Sequence, residues 1–147
     1  MAAAATTILP SAARTSSGTA AVTALDSERL RVLRGAVFLL VVSAAALVAG
    51  DTLDVYLQDS PDAGTTYDDA IHFTQVLGNG GAKMFRATWL ADLAPATAQR
   101  PLSDAAMAAG VLQGPLAPPW RFKWVIAGVS PSFTFSVLMR PLARPGA

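Results

Sequence analysis

The sequence predicts an all-β fold: an antiparallel β-sandwich, of plain or jelly-roll type, with an extended N-terminal arm and a long Pro-rich insertion carrying at most one short helix. Three observations predict it. From Leu30 onward, apolar or alternating runs of strand length recur, separated by Gly, Pro, Asn and Asp punctuation. Three of these runs alternate with a period of two, as a half-buried strand requires. The most apolar run, Ala36–Ser43, reads AVFLLVVS, a β-branched and aromatic octamer rather than a helical period.

The arm comes first. Met1–Ala24 is rich in Ala, Thr and Ser, carries Pro10 and Gly18, and has no sustained period. Alone it buries too little surface to offset its ordering entropy, so it is expected to be disordered or to lie along another surface, such as another subunit. The sandwich then spans 25–147. Its expected strands are Leu30–Leu33, Ala36–Ser43, Leu53–Gln58, Ala70–Val76, Lys83–Leu90, Trp120–Ala127 and Phe133–Arg140. Ala36–Ser43, apolar on both parities, is expected to be covered on both faces.

Leu53, Val55 and Leu57 point one way, and Asp54, Tyr56 and Gln58 the other. Trp120, Phe122, Trp124 and Ile126 share a face, as do Phe133, Phe135, Val137 and Met139. Gly128-Val129-Ser130-Pro131-Ser132 is turn chemistry, so the last two runs are expected to form a hairpin over one core. Ala91–Pro119 holds five prolines, and only Ser103–Leu112 (SDAAMAAGVL) has a helical look, with Ser103 or Asp104 as N-cap. Its apolar character favours packing on a neighbouring surface.

Composition narrows the class. At 147 residues the chain is one domain's worth, with no cysteine for disulfides or thiolate metal sites. Its net charge of +1 offers no general attraction to nucleic acid. It is 52% hydrophobic and only 14% charged, where an ordinary soluble domain carries about a quarter charged residues. That raises the question of a membrane span, with Gly35–Gly50 as the candidate. It is sixteen residues long, has glycine at both ends and a Ser-Ala-Ala-Ala centre, and so falls short of the ~20 apolar residues a spanning helix needs. The thirty alanines account for much of the hydropathy. The first charge is Arg14, so no basic region precedes an apolar one as a secretory signal would have it.

Catalytic chemistry is sparse. His72 is the only histidine, expected as a half-exposed strand residue on the face of Thr74. Asp51, Asp54, Asp59, Asp62, Asp68 and Asp69 could offer oxygen ligands to a cation. Asp59-Ser60-Pro61-Asp62-Ala63-Gly64 is also what a turn needs, with Asp accepting backbone N–H bonds and Gly supplying positive φ. Gly78-Asn79-Gly80-Gly81 lacks the Lys-Ser/Thr of a phosphate loop and reads as a hairpin turn. Arg121, Lys123, Arg140 and Arg144 cluster late in the chain, but alternation puts Arg121 and Lys123 opposite Trp120 and Trp124, unlike a nucleic-acid stacking platform. A nucleophile, its base and an oxyanion donor cannot be assembled from named residues, and no cofactor or metal site is assigned.

The run Leu53–Asp69, LDVYLQDSPDAGTTYDD, followed by Phe73-Thr74-Gln75-Val76, resembles a recurring small β protein of tailed-phage and prophage structural modules. In that family a strand of the form LDVxLQDSxDG leads through a turn to one ending FxQV. Trp120–Gly128 and Val129–Val137, including SPSFTFSV, are similar to its closing hairpin, and Ile8–Thr15 to its start. The likeness covers the start, Leu33–Val76 and Trp120–Val137. Its motifs are structural and carry no catalytic residues over. The 91–119 stretch is longer than the family's short connection.

The resemblance implies a non-enzymatic virion component of capsid decoration or cement type, made in the bacterial host cytoplasm and placed on the capsid surface. Its partner would be the major capsid protein, its state a homo-oligomer such as a trimer or dimer, with no nucleic acid, membrane or cofactor involved. Candidate contacts are Ile8, Leu9 and Pro10 of the arm, and Met107, Leu112, Leu116 and Trp120 of and after the insertion. Removing Met1–Ala24 is then expected to weaken shell binding. The rival readings are a tail or head–tail connector of the same fold, a host-surface or sugar-binding module using Trp89 and Tyr67, and a single-pass membrane subunit with 35–50 as its helix.

Overall fold

A computed structural model describes residues 5–22, 34–45, 48–91 and 104–142. Among the described residues there are ten strands and no helix: β1 (Thr6–Arg14), β2 (Gly18–Ala21), β3 (Gly35–Ala45), β4 (Thr52–Asp59), β5 (Asp68–His72), β6 (Val76–Leu77), β7 (Lys83–Leu90), β8 (Gly110–Val111), β9 (Arg121–Ala127) and β10 (Phe133–Leu142). They build two antiparallel sheets. The front sheet has the order β1-β10-β3-β7; the back sheet runs β2-β9-β4-β5-β8, with β6 also paired to β4.

The pairing follows a simple rule. β1 pairs β10, β2 pairs β9, β3 pairs β7 and β4 pairs β5, so the chain is a long antiparallel ribbon folded on itself. Winding that ribbon sets β10 beside β3 and β9 beside β4. This is the double-sheet, eight-strand jelly roll, with the short β6 and β8 as additions.

The alternating runs form their strands because one face is needed by the core. On β4, Leu53, Val55 and Leu57 are buried; on β10, Phe133, Phe135, Val137 and Met139 are. They meet Phe38, Leu40, Ile71, Trp89, Trp120 and Phe122 in one cluster between the sheets. Each such side chain contributes roughly 1.5–3 kcal/mol by leaving water. β3 is central: its inward residues Ala36, Phe38, Leu40 and Val42 are buried, but on the outward parity Val37 is buried, Leu39 and Val41 are half-buried and Ser43 is exposed, so the expected cover on both faces holds only in part. No helix among the described residues is long and apolar enough to cross a membrane, and 35–45 of the candidate span is strand.

Several expectations are corrected. β9 and β10 do not pair as a hairpin: they lie in opposite sheets, and 128–132 carries the chain between them. Both geometries turn the aromatic faces toward one core, so alternation alone does not distinguish them. The Gly78–Gly81 turn likewise links β6 of the back sheet to β7 of the front sheet. The expected helix is absent over 104–112, where Ala105 has φ +56° and β8 follows. The expected strand Leu30–Leu33, residue Ser103 and Arg144 lie outside the described residues.

The arm is extended, but it lies on its own domain. β1 and β2 are edge strands of the two sheets, with Ile8, Leu9 and Val22 in the core. Register shifts between Thr7 and Leu9, and between Leu9 and Ala12, interrupt the period of two. Arg14 repairs the second irregularity: its guanidinium donates to the carbonyls of Pro10 (2.9 Å), Ala12 (3.1 Å) and Phe135 (2.8 Å). It also stacks over Trp124 of the back sheet and Phe135 of the front sheet, at 4.7 and 4.3 Å. One cation thus joins both sheets at the arm's corner.

At one end of the sandwich Asp51 ties three connections together. Its amide donates to the Val48 carbonyl (3.2 Å), its carbonyl accepts from Gly78 (2.8 Å), and its carboxylate accepts from Val129 (2.9 Å). Gly128, at φ +130°, lies so close that a Cβ there would overlap the Asp51 carboxylate. Gly128→Ala is therefore expected to destabilise the fold by about 3 kcal/mol, through left-handed strain plus overlap, measured by urea denaturation. Arg14→Ala is expected to cost about 2 kcal/mol in the same assay, since it leaves carbonyls unmatched and removes the ring contacts.

Candidate interaction surfaces

The seven candidate contact residues separate sharply. Ile8, Leu9, Leu116 and Trp120 are 8%, 2%, 7% and 0% exposed, so they belong to this chain's own core and offer nothing to a partner. Pro10 is exposed on β1, and Met107 and Leu112 are half-buried. The insertion does pack on a surface, but the surface is the back sheet of the same molecule. Residues 104–119 form a strap, and polar side chains of the back sheet hold it by its backbone.

The strap starts on the outer face of β4, β5 and β9. The Asp69 carboxylate accepts backbone N–H bonds from Ala105 (3.2 Å), Ala106 (2.9 Å) and Met107 (3.0 Å), and a further bond from Gln58 Nε2 (2.7 Å). Asp104 reaches back to Gln58, Lys123 and Arg121. Arg121 Nε donates to Gln58 Oε1 at 2.7 Å and its guanidinium covers the Tyr67 ring at 4.0 Å. β8 then pairs with β5, and the Leu112 amide donates to the Ala70 carbonyl (2.9 Å).

Next the strap crosses to the front sheet. Gln113 imitates a strand neighbour on the outer edge of β7: its Oε1 accepts from the Leu90 amide (2.6 Å) and its Nε2 donates to the Thr88 carbonyl (3.0 Å). Trp89 Nε1 donates to the Gly114 carbonyl (2.7 Å), and Trp89 packs edge-on against Trp120. Finally Asp59 accepts from the Ala117 amide (3.0 Å), and Ser60 N–H donates to the Ala117 carbonyl (3.0 Å). The strap thus closes the open side of the sandwich between β5 and β7, beside a cleft of about 290 Å³ that His72, Phe85, Arg86 and Val111 help to line.

His72 is less exposed than its strand position suggests, with 11% of its side chain accessible. Nε2 faces Asp54 Oδ1 at 2.8 Å, Nδ1 faces the Met107 carbonyl at 2.7 Å, and the ring stacks on Tyr56 at 4.1 Å. Both nitrogens meet acceptors, so only the imidazolium satisfies both. Burial pulls the His72 pKa down, but the Asp54 bond, the Met107 carbonyl and the charges of Asp54 and Asp69 outweigh it and raise it above 6.5. Burial pushes Asp54 up, yet bonds from His72 and Gln75 leave it lowered. Asp104 is likewise lowered on balance: burial opposes, while Lys123, Gln58 and Arg121 prevail. Burial first, then Asp54, Asp69 and Asp104, push the Tyr56 hydroxyl up to about 12.

The acid-rich segment serves turns and the strap. Asp62 accepts from the Thr66 amide (2.8 Å) and hydroxyl (2.7 Å), Ser60 Oγ accepts from the Gly64 amide (2.7 Å), and Ala63 and Gly64 take positive φ. That matches the turn chemistry expected. Among the described residues no group of three or more His, Asp or Glu side chains is placed to hold a metal ion. Trp89 is 1% exposed, so it is no stacking platform for a sugar.

The outer face of the front sheet is of another kind. Three cross-strand rows run over β10, β3 and β7: Ser136–Val41–Met84, Leu138–Leu39–Arg86 and Arg140–Val37–Thr88. Met84 is 64% exposed, and Arg86 and Arg140 are exposed at the flanks. The four strands of this sheet contain no Asp or Glu; their ionisable residues are Arg14, Lys83, Arg86 and Arg140.

No family model and no curated protein matches the chain. Among solved structures it is similar to a chain in the cryo-EM structure of Broad Bean Stain Virus, at 18% identity and a TM-score of 0.41. The similarity covers 91% of this chain and 66% of that one.

Two outcomes follow for the strap. Asp69→Ala removes the acceptor of three backbone amides, and hydrogen exchange at Ala105, Ala106 and Met107 is expected to accelerate at least tenfold while the β10 amides stay protected. The His72–Asp54 pair contributes most between the ordinary Asp and His pKa values, 3.8 and 6.5. His72, raised on folding, gives stability that is full below 6.5 and lost as pH rises through its folded value. Asp54, lowered on folding, gives stability present above 3.8 and lost as pH falls through its folded value. Thermal melts of His72→Gln are expected to show a flatter profile than wild type across both limits.

Proposed function

We propose that the chain is a non-enzymatic virion structural protein of a tailed phage, of the capsid decoration type, fastening neighbouring major capsid subunits from the outside of the head. The observation that carries this reading is where the chemically capable side chains go. The Asp69 carboxylate holds the strap's backbone, both nitrogens of His72 are engaged, and Asp54, Asp59, Asp62 and Asp104 are bonded to amides, side chains or the strap. The polar inventory builds a scaffold, and what is left for function is surface.

The residues behind the family resemblance do the same work. Leu53, Val55, Leu57, Phe73, Val76, Phe133, Phe135 and Val137 fill the core, while Gln58, Asp59 and Ser60 secure the strap. Jelly rolls recur in viral capsid proteins, which supports a shell role. A decoration subunit acting as a symmetric oligomer repeats one modest contact and gains from effective concentration.

The test is immunogold labelling and gel densitometry of purified particles from a producing strain. Label over heads, with a copy number that scales with the major capsid protein, is the expected result. A low fixed copy number with label at the tail would move the protein to the connector or tail, and absence from purified particles would overturn the virion reading.

A further inference from the structure

The two outer faces of the sandwich are treated differently by the chain. The back sheet is polar outside and carries the strap, whose backbone satisfies Asp69 and His72. The front sheet is apolar outside, with Met84 exposed, Leu39, Val41 and Leu138 half-buried and Val37 buried, and no described strand lies over it. Val41, Leu39, Leu138 and Met84 form a contiguous patch there by register, flanked by Arg86 on β7 and Arg140 on β10. Neither Arg86 nor Arg140 has a hydrogen bond or ion pair with another described side chain. An apolar centre with a one-sign rim is what a docking surface presents.

We infer that this front face is the surface that docks on the shell, against a protein surface with an apolar centre and carboxylates at its margins. Charge selects the occupant. A second copy of this chain set face to face would put the arginines of one front sheet against those of the other, since the four front strands hold no acid, and these like charges repel. A partner with Asp or Glu at its margin pairs both arginines, and guanidinium groups suit bidentate carboxylate contacts.

Size points the same way. Four strands spaced about 4.8 Å apart and about 30 Å long present roughly 600 Å², against about 800 Å² per partner in a standard stable interface. One such contact is weak, and repetition on a lattice makes it persist. The inference rests on the virion reading for the lattice. The chemistry of the face stands on the strands themselves.

The experiment uses particles purified from a producing strain that lacks this chain, to which the full chain is added and co-sedimented. The double variant Met84→Asp, Arg86→Glu is expected to bind at least about tenfold more weakly, while Val129→Ser, at the exposed loop end, binds like wild type. Wild-type binding is expected to weaken as sodium chloride is raised, because the rim pairs are screened. Both variants are checked for an unchanged thermal melt. If the double variant binds as wild type does, or if binding ignores salt, the front face is not the dock and the virion reading stands. If wild type itself fails to bind, both fall. Wild-type dimers in sedimentation equilibrium that the double variant abolishes would give the face to a second copy and overturn the inference.

Discussion

The first strand of this protein pairs with the last, across more than a hundred residues of intervening chain, and most of the architecture follows from that ladder. With β1 on β10 and β2 on β9, the chain is a ribbon whose winding places β3 against β10 and β4 against β9. Such a contact is entropically late, because a long loop must close before the pairing contributes. It is held where it forms by Arg14, which binds carbonyls on both strands and covers aromatic rings from both sheets. The N-terminal segment is therefore part of the fold. Removing it would strip an edge strand from each sheet and three residues from the core, so it cannot be treated as a detachable arm.

A ribbon of this kind leaves one side of the sandwich open, between β5 and β7. The strap closes it by borrowed hydrogen bonds: Asp69, His72 and Asp59 bind its backbone from one sheet, and its own Gln113 mimics a strand on the other. Charged groups are costly to bury, and here each is matched by amides or by an opposite charge. Asp59, Asp69 and His72 thus fasten the strap. That leaves the back face polar and occupied, and the front face apolar and cationic. The two outer faces of the sandwich are thus chemically distinct, and the proposed dock rests on that asymmetry.

Much of the fold was legible in residue order. The strands at Ala36–Ser43, Leu53–Gln58, Lys83–Leu90, Trp120–Ala127 and Phe133–Arg140 appear within a few residues of their expected places, because burial of one face imposes a period of two that survives in the letters. β1 was not legible: its register shifts break that period, and TTILPSAAR shows no alternation. Nor were the contact residues. Leu116 looks like a surface hydrophobic of an insertion until the strap's path carries it into the core, and Trp120, a candidate contact that also shares the parity of Phe122, is buried with it.

By itself the sequence determined the all-β class, the inward faces of the main strands and the turn at 59–64, since each depends on neighbours one to four residues apart. Only the tertiary structure decided which strands share a sheet, where the insertion lies and which hydrophobic residues remain outside. A hairpin and a sheet-to-sheet crossing have the same local alternation, so β9 and β10 could be separated only by their partners. Those partners are chosen by long-range ladders and by single side chains such as Asp69 and Arg14, whose targets lie tens of residues away and leave no periodic trace.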